Sequence, residues 1–169
     1  MKQQWCKAGW CKLENAFLAE AQKAYAEFEK LSGLELVQHS VKNGRVDPYS
    51  KLLGLKTVKA EDGHVWLEAE PKYEFYNPMN RIHGGWLASI MDAVLGSAIL
   101  TKLGPGIGAG TVQLSVNYVR KVSVESGVLR AEGRVMHAGR SMLTATGEIR
   151  DSAGELCVHA TGTFLSYKK

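Results

Sequence analysis

The feature that most constrains this chain is one sixteen-residue run, Gly85-Trp86-Leu87-Ala88-Ser89-Ile90-Met91-Asp92-Ala93-Val94-Leu95-Gly96-Ser97-Ala98-Ile99-Leu100, which is almost wholly apolar. It falls short of the roughly 20 residues needed to cross a bilayer, and it carries Asp92 in its middle. A helix that is apolar on all sides belongs at the centre of a soluble fold, so the rest of the chain must supply a surface to hide it. Composition permits this: 45% of the 169 residues are hydrophobic and 22% charged, enough for one ordinary domain with a real core. That balance excludes a disordered or fibrous chain. The formal net charge of +4 suits an anionic small molecule as well as a nucleic acid and decides for neither.

The segments around this run are legible from their periods. From residue 14 to about 30 the spacing of Phe17, Ala21, Ala24, Tyr25 and Phe28 predicts a helix, and Ser32-Gly33 interrupts it. A shorter stripe of Leu34, Leu36, Val37 and Val41 follows and closes at Asn43-Gly44, and Pro48 opens one further turn through Leu53. After Gly54 the period changes to two. Val65, Leu67 and Ala69 alternate with His64, Trp66 and Glu68 behind an Asp62-Gly63 turn, which predicts a hairpin. Four more alternating stretches follow the apolar helix, at 111–121, 128–137, 142–150 and 155–167. The turn signals between them are short and predict antiparallel neighbours. The expected fold class is α+β: a curved antiparallel sheet of five or six strands around one long helix. Residues 1–50 form an N-terminal helical extension and 51–169 the main domain.

Several familiar chemistries are absent. The glycine-rich stretch 104–110 fits neither dinucleotide nor P-loop spacing and leads into a strand, so it is expected to be a flexible connection. There is no G-x-S-x-G elbow. Cys6 and Cys11, in the echo Trp5-Cys6-Lys7 and Trp10-Cys11-Lys12, have no third or fourth ligand at zinc spacing, and neither metal nor cofactor is expected. Three cysteines do not read as a disulfide framework, and no apolar signal-peptide core opens the chain, so the expected compartment is the cytoplasm. His39, His64, His137 and His159 stand singly, and Cys157 falls in an alternating strand where packing is its expected role.

The chemistry concentrates in Tyr76-Asn77-Pro78-Met79-Asn80-Arg81-Ile82-His83-Gly84-Gly85, which runs directly into the apolar helix. A glycine pair at a helix start bares backbone N–H groups that can hold a carbonyl oxygen on which charge develops. Asp92 is costly in an apolar helix unless something rewards it. Gly85, Ser89, Asp92, Ala93 and Gly96 share one small-residue stripe that a ligand or another backbone can approach. Two readings stand at this level: a reaction site, or a tightly packed helix whose Asp92 caps a neighbouring backbone. Asp92 lies roughly 12 Å along the axis from Gly84 and, if His83 is already helical, nearly opposite His83 around the helix. One chain would not easily aim both groups at one atom, whereas two antiparallel copies across a two-fold axis would.

The pattern Asn77-Pro78-x4-His83-Gly84-Gly85, with Asp92 nine residues after the histidine, resembles hotdog-fold thioesterases of the phenylacetate-degradation (PaaI-like) type. The resemblance runs from about residue 53 to 165 and includes Asn117-Tyr118-Val119-Arg120-Lys121 and Gly139-Arg140-Ser141. It implies hydrolysis of acyl-CoA thioesters at sites shared between protomers of a homodimer, itself paired into a homotetramer, with no part for nucleic acid or a membrane span. Asp92 then matches the catalytic carboxylate, as nucleophile or as base for water. Gly84 matches the glycine whose N–H polarises the thioester carbonyl, His83 orders the turn, and Asn77 places the carbonyl or the water. Gly85 and Thr111 would line the substrate site, while Arg120, Lys121, Arg140 and Ser141 sit where the family meets coenzyme A phosphates. Arg120-Lys121 replaces the commoner Arg-Pro there. An acyl-CoA-binding hotdog module without turnover is the alternative. A hotdog hydratase ranks last, because its D-x4-H signature is missing.

Overall fold

The computed structural model describes residues 30–45 and 47–168. The helix expected from residue 14 to about 30 lies, up to residue 29, outside the described residues, as does the Cys6 and Cys11 echo. Helix α1 (Gly33–Asn43) is opened by a capping box: the Glu35 N–H donates to the Ser32 hydroxyl, and the Glu35 carboxylate accepts from the Ser32 N–H. Gly33, read in the sequence as an interruption, is therefore the first residue of a helix. Helix α2 (Pro48–Leu53) has Asp47 as its N-cap and proline at its start, and ends at left-handed Gly54 (φ 71°).

Strands β1 (Lys56–Glu61) and β2 (His64–Ala69) form the expected hairpin around Gly63, whose φ of 75° suits glycine. Helix α3 (Gly84–Leu100) is the apolar run. Strands β3 (Ile107–Tyr118), β4 (Leu129–Ala138), β5 (Met142–Arg150) and β6 (Leu156–Lys168) complete a six-stranded antiparallel sheet in the order β1-β2-β4-β5-β6-β3. No helix among the described residues is long and apolar enough to cross a membrane.

Two expectations change. The glycine-rich stretch is only partly a connection, since Ile107 to Gly110 already pair with residues 165–168 of β6. The 119–128 link is also not a hairpin turn, because β3 pairs with β6 at one edge of the sheet while β4 pairs with β2. The Val119 and Arg120 N–H groups both donate to the Cys157 carbonyl, and buried Val122 accepts from the Ile82 N–H. These bonds carry the link across the end of the sheet, beneath the loop that enters α3.

The core lies between α3 and one sheet face. Ile90, Met91, Val94, Leu95, Ala98 and Ile99 are fully buried against Val65, Leu67, Leu129, Leu143, Ile149, Val158 and Phe164. The helix sits low on the sheet because the inner face beneath it carries Ala131, Gly133, Ala145, Gly147, Ala160 and Gly162. A Cβ on Gly133 would stand 2.7 Å from the Val94 carbonyl oxygen, and one on Gly147 would stand 2.9 Å from the Leu95 side chain. Gly133→Ala therefore forces helix and sheet apart. We expect it to cost about 1–3 kcal/mol of stability, read by urea unfolding with an unchanged m-value.

Candidate active site

The loop before α3 is closed on itself by hydrogen bonds. The Asn77 N–H donates to the Arg81 carbonyl (2.7 Å) and the Asn80 N–H to the Asn77 carbonyl (3.1 Å). Pro78 presets the turn, and Asn80 takes the left-handed conformation (φ 57°) that asparagine tolerates. The Asn77 side-chain oxygen accepts from the Met79 N–H at 2.9 Å, which leaves its amide NH2 as the donating end, free among the described residues. The loop is tied to its surroundings by the His83 N–H on the Phe75 carbonyl and the Ile82 N–H on the Val122 carbonyl.

His83 is the N-cap of α3, not its first helical residue: its backbone is extended (φ −64°, ψ 132°) and its Nδ1 accepts from the Gly85 N–H at 2.9 Å. A neutral imidazole whose Nδ1 accepts carries its proton on Nε2, so His83 presents an N–H outward. This corrects the expected helical placement: the ring lies over Gly85, on the same side as Ser89 and Asp92. Separation along the axis remains, at about two helical turns between this turn and Asp92. Among the described residues no acceptor meets the Gly84 N–H, which belongs to the unpaired first turn.

Asp92 is exposed within the chain, not buried. The small-residue stripe Gly85, Ser89, Asp92, Ala93 and Gly96 is the face of α3 that the sheet does not wrap, which is why a carboxylate is tolerated there. Its Oδ1 accepts from the Thr111 hydroxyl at 2.7 Å. Thr111 stands beside an irregularity in the β3–β6 ladder, where an extra residue re-aims the strand. Thr111, expected to line the substrate site, is thus the direct neighbour of Asp92.

The remaining site residues fall at two ends of the molecule. Arg120 and Lys121 leave β3 beside Cys157, and they line a cavity of about 270 Å³ with Asn77, Arg81, Gly84 and Tyr118. Arg120 is paired with Glu155 at 2.6 Å, an exposed and hence weak ion pair. Arg140 and Ser141 lie at the β4–β5 turn, where the Ser141 carbonyl accepts from the Ser166 N–H. Cys157 and Ser166 are separated along β6 by roughly 30 Å of strand. One chain thus groups Asn77, His83, Gly84, Arg120 and Lys121 at one end, and Asp92 with Thr111 toward the end that holds Arg140 and Ser141.

Sequence reading missed three contributors. Tyr118 donates its hydroxyl to the Gly84 carbonyl at 2.9 Å. Tyr49 of α2 reaches Ser89 at 2.8 Å, over a cavity of about 280 Å³ lined also by Phe75, Tyr76, His83 and Trp86. Arg81 shares the polar cavity beside Tyr73 and Ser123 with Lys121. Only tertiary pairing joins these residues to the turn; the one local signal was that Tyr118 and Arg81 lie inside singled-out segments without a role assigned to either. Outside the site, His64 is held by Glu132 (2.7 Å) and lies tilted against the Trp66 ring. Burial, with the Asp151 charge, pushes the Cys157 thiol above its ordinary pKa, so it is a core residue rather than a thiolate nucleophile.

Comparison with known proteins agrees with this architecture. Residues 79–158 match the family model of the thioesterase superfamily. A conserved protein of Pseudomonas aeruginosa has a solved structure 32% identical to this chain, covering 72% of it and 95% of that protein, with a TM-score of 0.68. The PaaI protein from the phenylacetic acid degradation operon of E. coli is 20% identical over 81% of this chain and 96% of its own, with a TM-score of 0.70. A Streptococcus mutans protein solved bound to acetyl-CoA is 26% identical over 68% of this chain and 90% of its own, with a TM-score of 0.62. The chain belongs to the thioesterase superfamily and has a PaaI-like hotdog fold.

Proposed function

We infer that this protein hydrolyses acyl-CoA thioesters at sites built by two protomers. The observation that carries the reading is the division of the site: a bare Gly84 N–H with the free Asn77 amide at one end, and the Thr111-held Asp92 carboxylate about two helical turns away. A two-fold axis across α3 exchanges the two ends and brings each half-set to the other. The superfamily membership and the acetyl-CoA bound to the S. mutans relative support the substrate class.

In this site the thioester carbonyl oxygen accepts from the Gly84 N–H, where the helix dipole favours the charge that develops on it. The Asn77 NH2 places the carbonyl or the water. His83 orders the turn as a neutral donor. Asp92 of the second protomer, oriented by its own Thr111, takes the proton of an attacking water and passes it to the departing sulfur, or attacks the carbonyl itself to form a mixed anhydride that water then opens, the water's proton going to the thiolate. Either way free acid and the coenzyme A thiol leave and the Asp92 carboxylate is regenerated. The acyl group occupies the cavity under Tyr49, against the Phe75 and Trp86 side chains, whose rings stack on each other at 4.8 Å. Lys121 and Arg120, with Arg81 beside them, meet the phosphates on one side; Arg140 and Ser141 approach from the other protomer.

Asp92→Asn is nearly isosteric and removes the charge, so it should keep the fold by circular dichroism and lose about 10²-fold or more of kcat. Thiol release across an acyl-CoA panel is the assay. Tight binding with no turnover by the wild type would make the protein a binding module instead. Neutralising Lys121 and Arg81 should raise KM for acyl-CoA and flatten its salt dependence, with kcat nearly unchanged. The shared site has its own check by co-expression. Asp92→Ala and Asn77→Ala homodimers should each be nearly inactive, whereas random pairing makes half of the dimers mixed, with one intact site each. About a quarter of wild-type activity should then return. Verified mixed dimers as inactive as their parents would place both residues in one chain's site.

A further inference from the structure

Tyr118 ends the edge strand β3 and is paired with Val158 of β6, so its backbone belongs to the rigid sheet. Its side chain is about half exposed (51%) and crosses to the first turn of α3, 34 residues away in sequence. There the hydroxyl donates to the Gly84 carbonyl at 2.9 Å, and the ring lies against Gly84 so closely that a Cβ would stand 3.2 Å from Cζ. That carbonyl belongs to the Gly84–Gly85 peptide, whose N–H donates to His83 Nδ1. One peptide plane is therefore held at both ends, by the sheet through Tyr118 and by the cap through His83. The preceding plane, which carries the free Gly84 N–H, is held through the His83 carbonyl, which accepts from the Trp86 N–H at 3.0 Å. Gly84 is the joint between the two planes, and glycine resists rotation less than any other residue.

We propose that Tyr118 is a positioning residue: by fixing the Gly84–Gly85 peptide from the sheet edge, it aims the Gly84 N–H at the thioester carbonyl. The hydroxyl does so through Gly84 and takes no part in the bond changes. Hydrogen bonds in series also strengthen one another, so the Tyr118 donation makes the Gly85 N–H a better partner for His83 and holds the ring with its Nε2–H outward. The ring separately forms one wall of the cavity shared by Asn77, Arg81 and Lys121. Removing the hydroxyl alone leaves that wall in place, which separates aim from substrate contact. This inference rests on the reading of the Gly84 turn as a thioester site.

Tyr118→Phe is the test, since it keeps the ring and the ladder and deletes one donor. The expected result is a fall in kcat of roughly five- to tenfold, the equivalent of one neutral hydrogen bond, with KM for the best acyl-CoA within about twofold. Amide exchange and the 15N shifts of the His83 ring, read by NMR on the full chain, give a measure independent of turnover. The Gly85 amide should exchange faster in the variant, and the His83 Nε2–H tautomer should lose population. A purely structural tyrosine would lower the melting temperature and leave kcat at the assay temperature unmoved. Unchanged kcat with an unchanged Gly85 amide, in a folded variant, overturns the proposal, as does a rise in KM at constant kcat, which would make Tyr118 a binding contact. If the wild type releases no thiol from any acyl-CoA, the thioesterase reading fails with it, and NMR still decides whether Tyr118 holds the turn.

Discussion

The close seating of α3 on the sheet is the contact on which the rest of this structure depends. An apolar helix of this length can be hidden only if strands from both sides of it in sequence meet under it. Glycine and alanine at 131, 133, 145, 147, 160 and 162 let its backbone come down onto them. Because β2, β4, β5, β6 and β3 all curve around one cylinder, the helix is covered on most sides. The stripe at Gly85, Ser89, Asp92, Ala93 and Gly96 is left facing out. The uncovered stripe is thus a product of the packing, and it is where the chain can carry a carboxylate.

The same geometry explains why the site is divided. The helix start is pinned from three directions, by the self-closed Asn77–Arg81 loop, by the Val122 carbonyl on Ile82 and by Tyr118 on Gly84. Asp92, two turns on, is pinned by Thr111 from the other end of the same strand. Strand β3 therefore touches α3 twice, once at each functional group, and sets both. A rigid edge strand can hold the two groups in register, but it also holds them apart, and in the proposed dimer a two-fold axis, not the fold of one chain, would join their chemistry.

Glycine serves two different ends along this helix. At Gly133 and Gly147 the missing side chain makes room for α3 itself, and the return is core packing. At Gly84 and Gly85 the neighbours are a Tyr118 ring and a His83 nitrogen within about 3.2 Å of an added Cβ, and what the vacancy keeps open is backbone donors. A close approach in the core stabilises the fold, while a close approach at a helix start leaves an N–H bare to a ligand.

By itself the sequence determined the elements whose signals are local. The period-two runs around Asp62-Gly63, the stripe at Val37, the proline start of α2 and the apolar helix all follow from spacing and turn chemistry, and all are present. The turn at Asn77-Pro78 and the glycine pair were likewise legible, because helix ends and tight turns are written in neighbouring residues. Strand order was not. The short 119–128 link read as a hairpin, yet hydrogen bonds to Cys157 and Ile82, distant in sequence, send it across the sheet. Nor did periodicity show that His83 stands outside the helix, that Asp92 faces solvent, or that Thr111, Tyr118 and Tyr49 reach the helix. Those outcomes depend on which strand lies beside which, a choice set by covering α3 as a whole, and only the tertiary structure decides it.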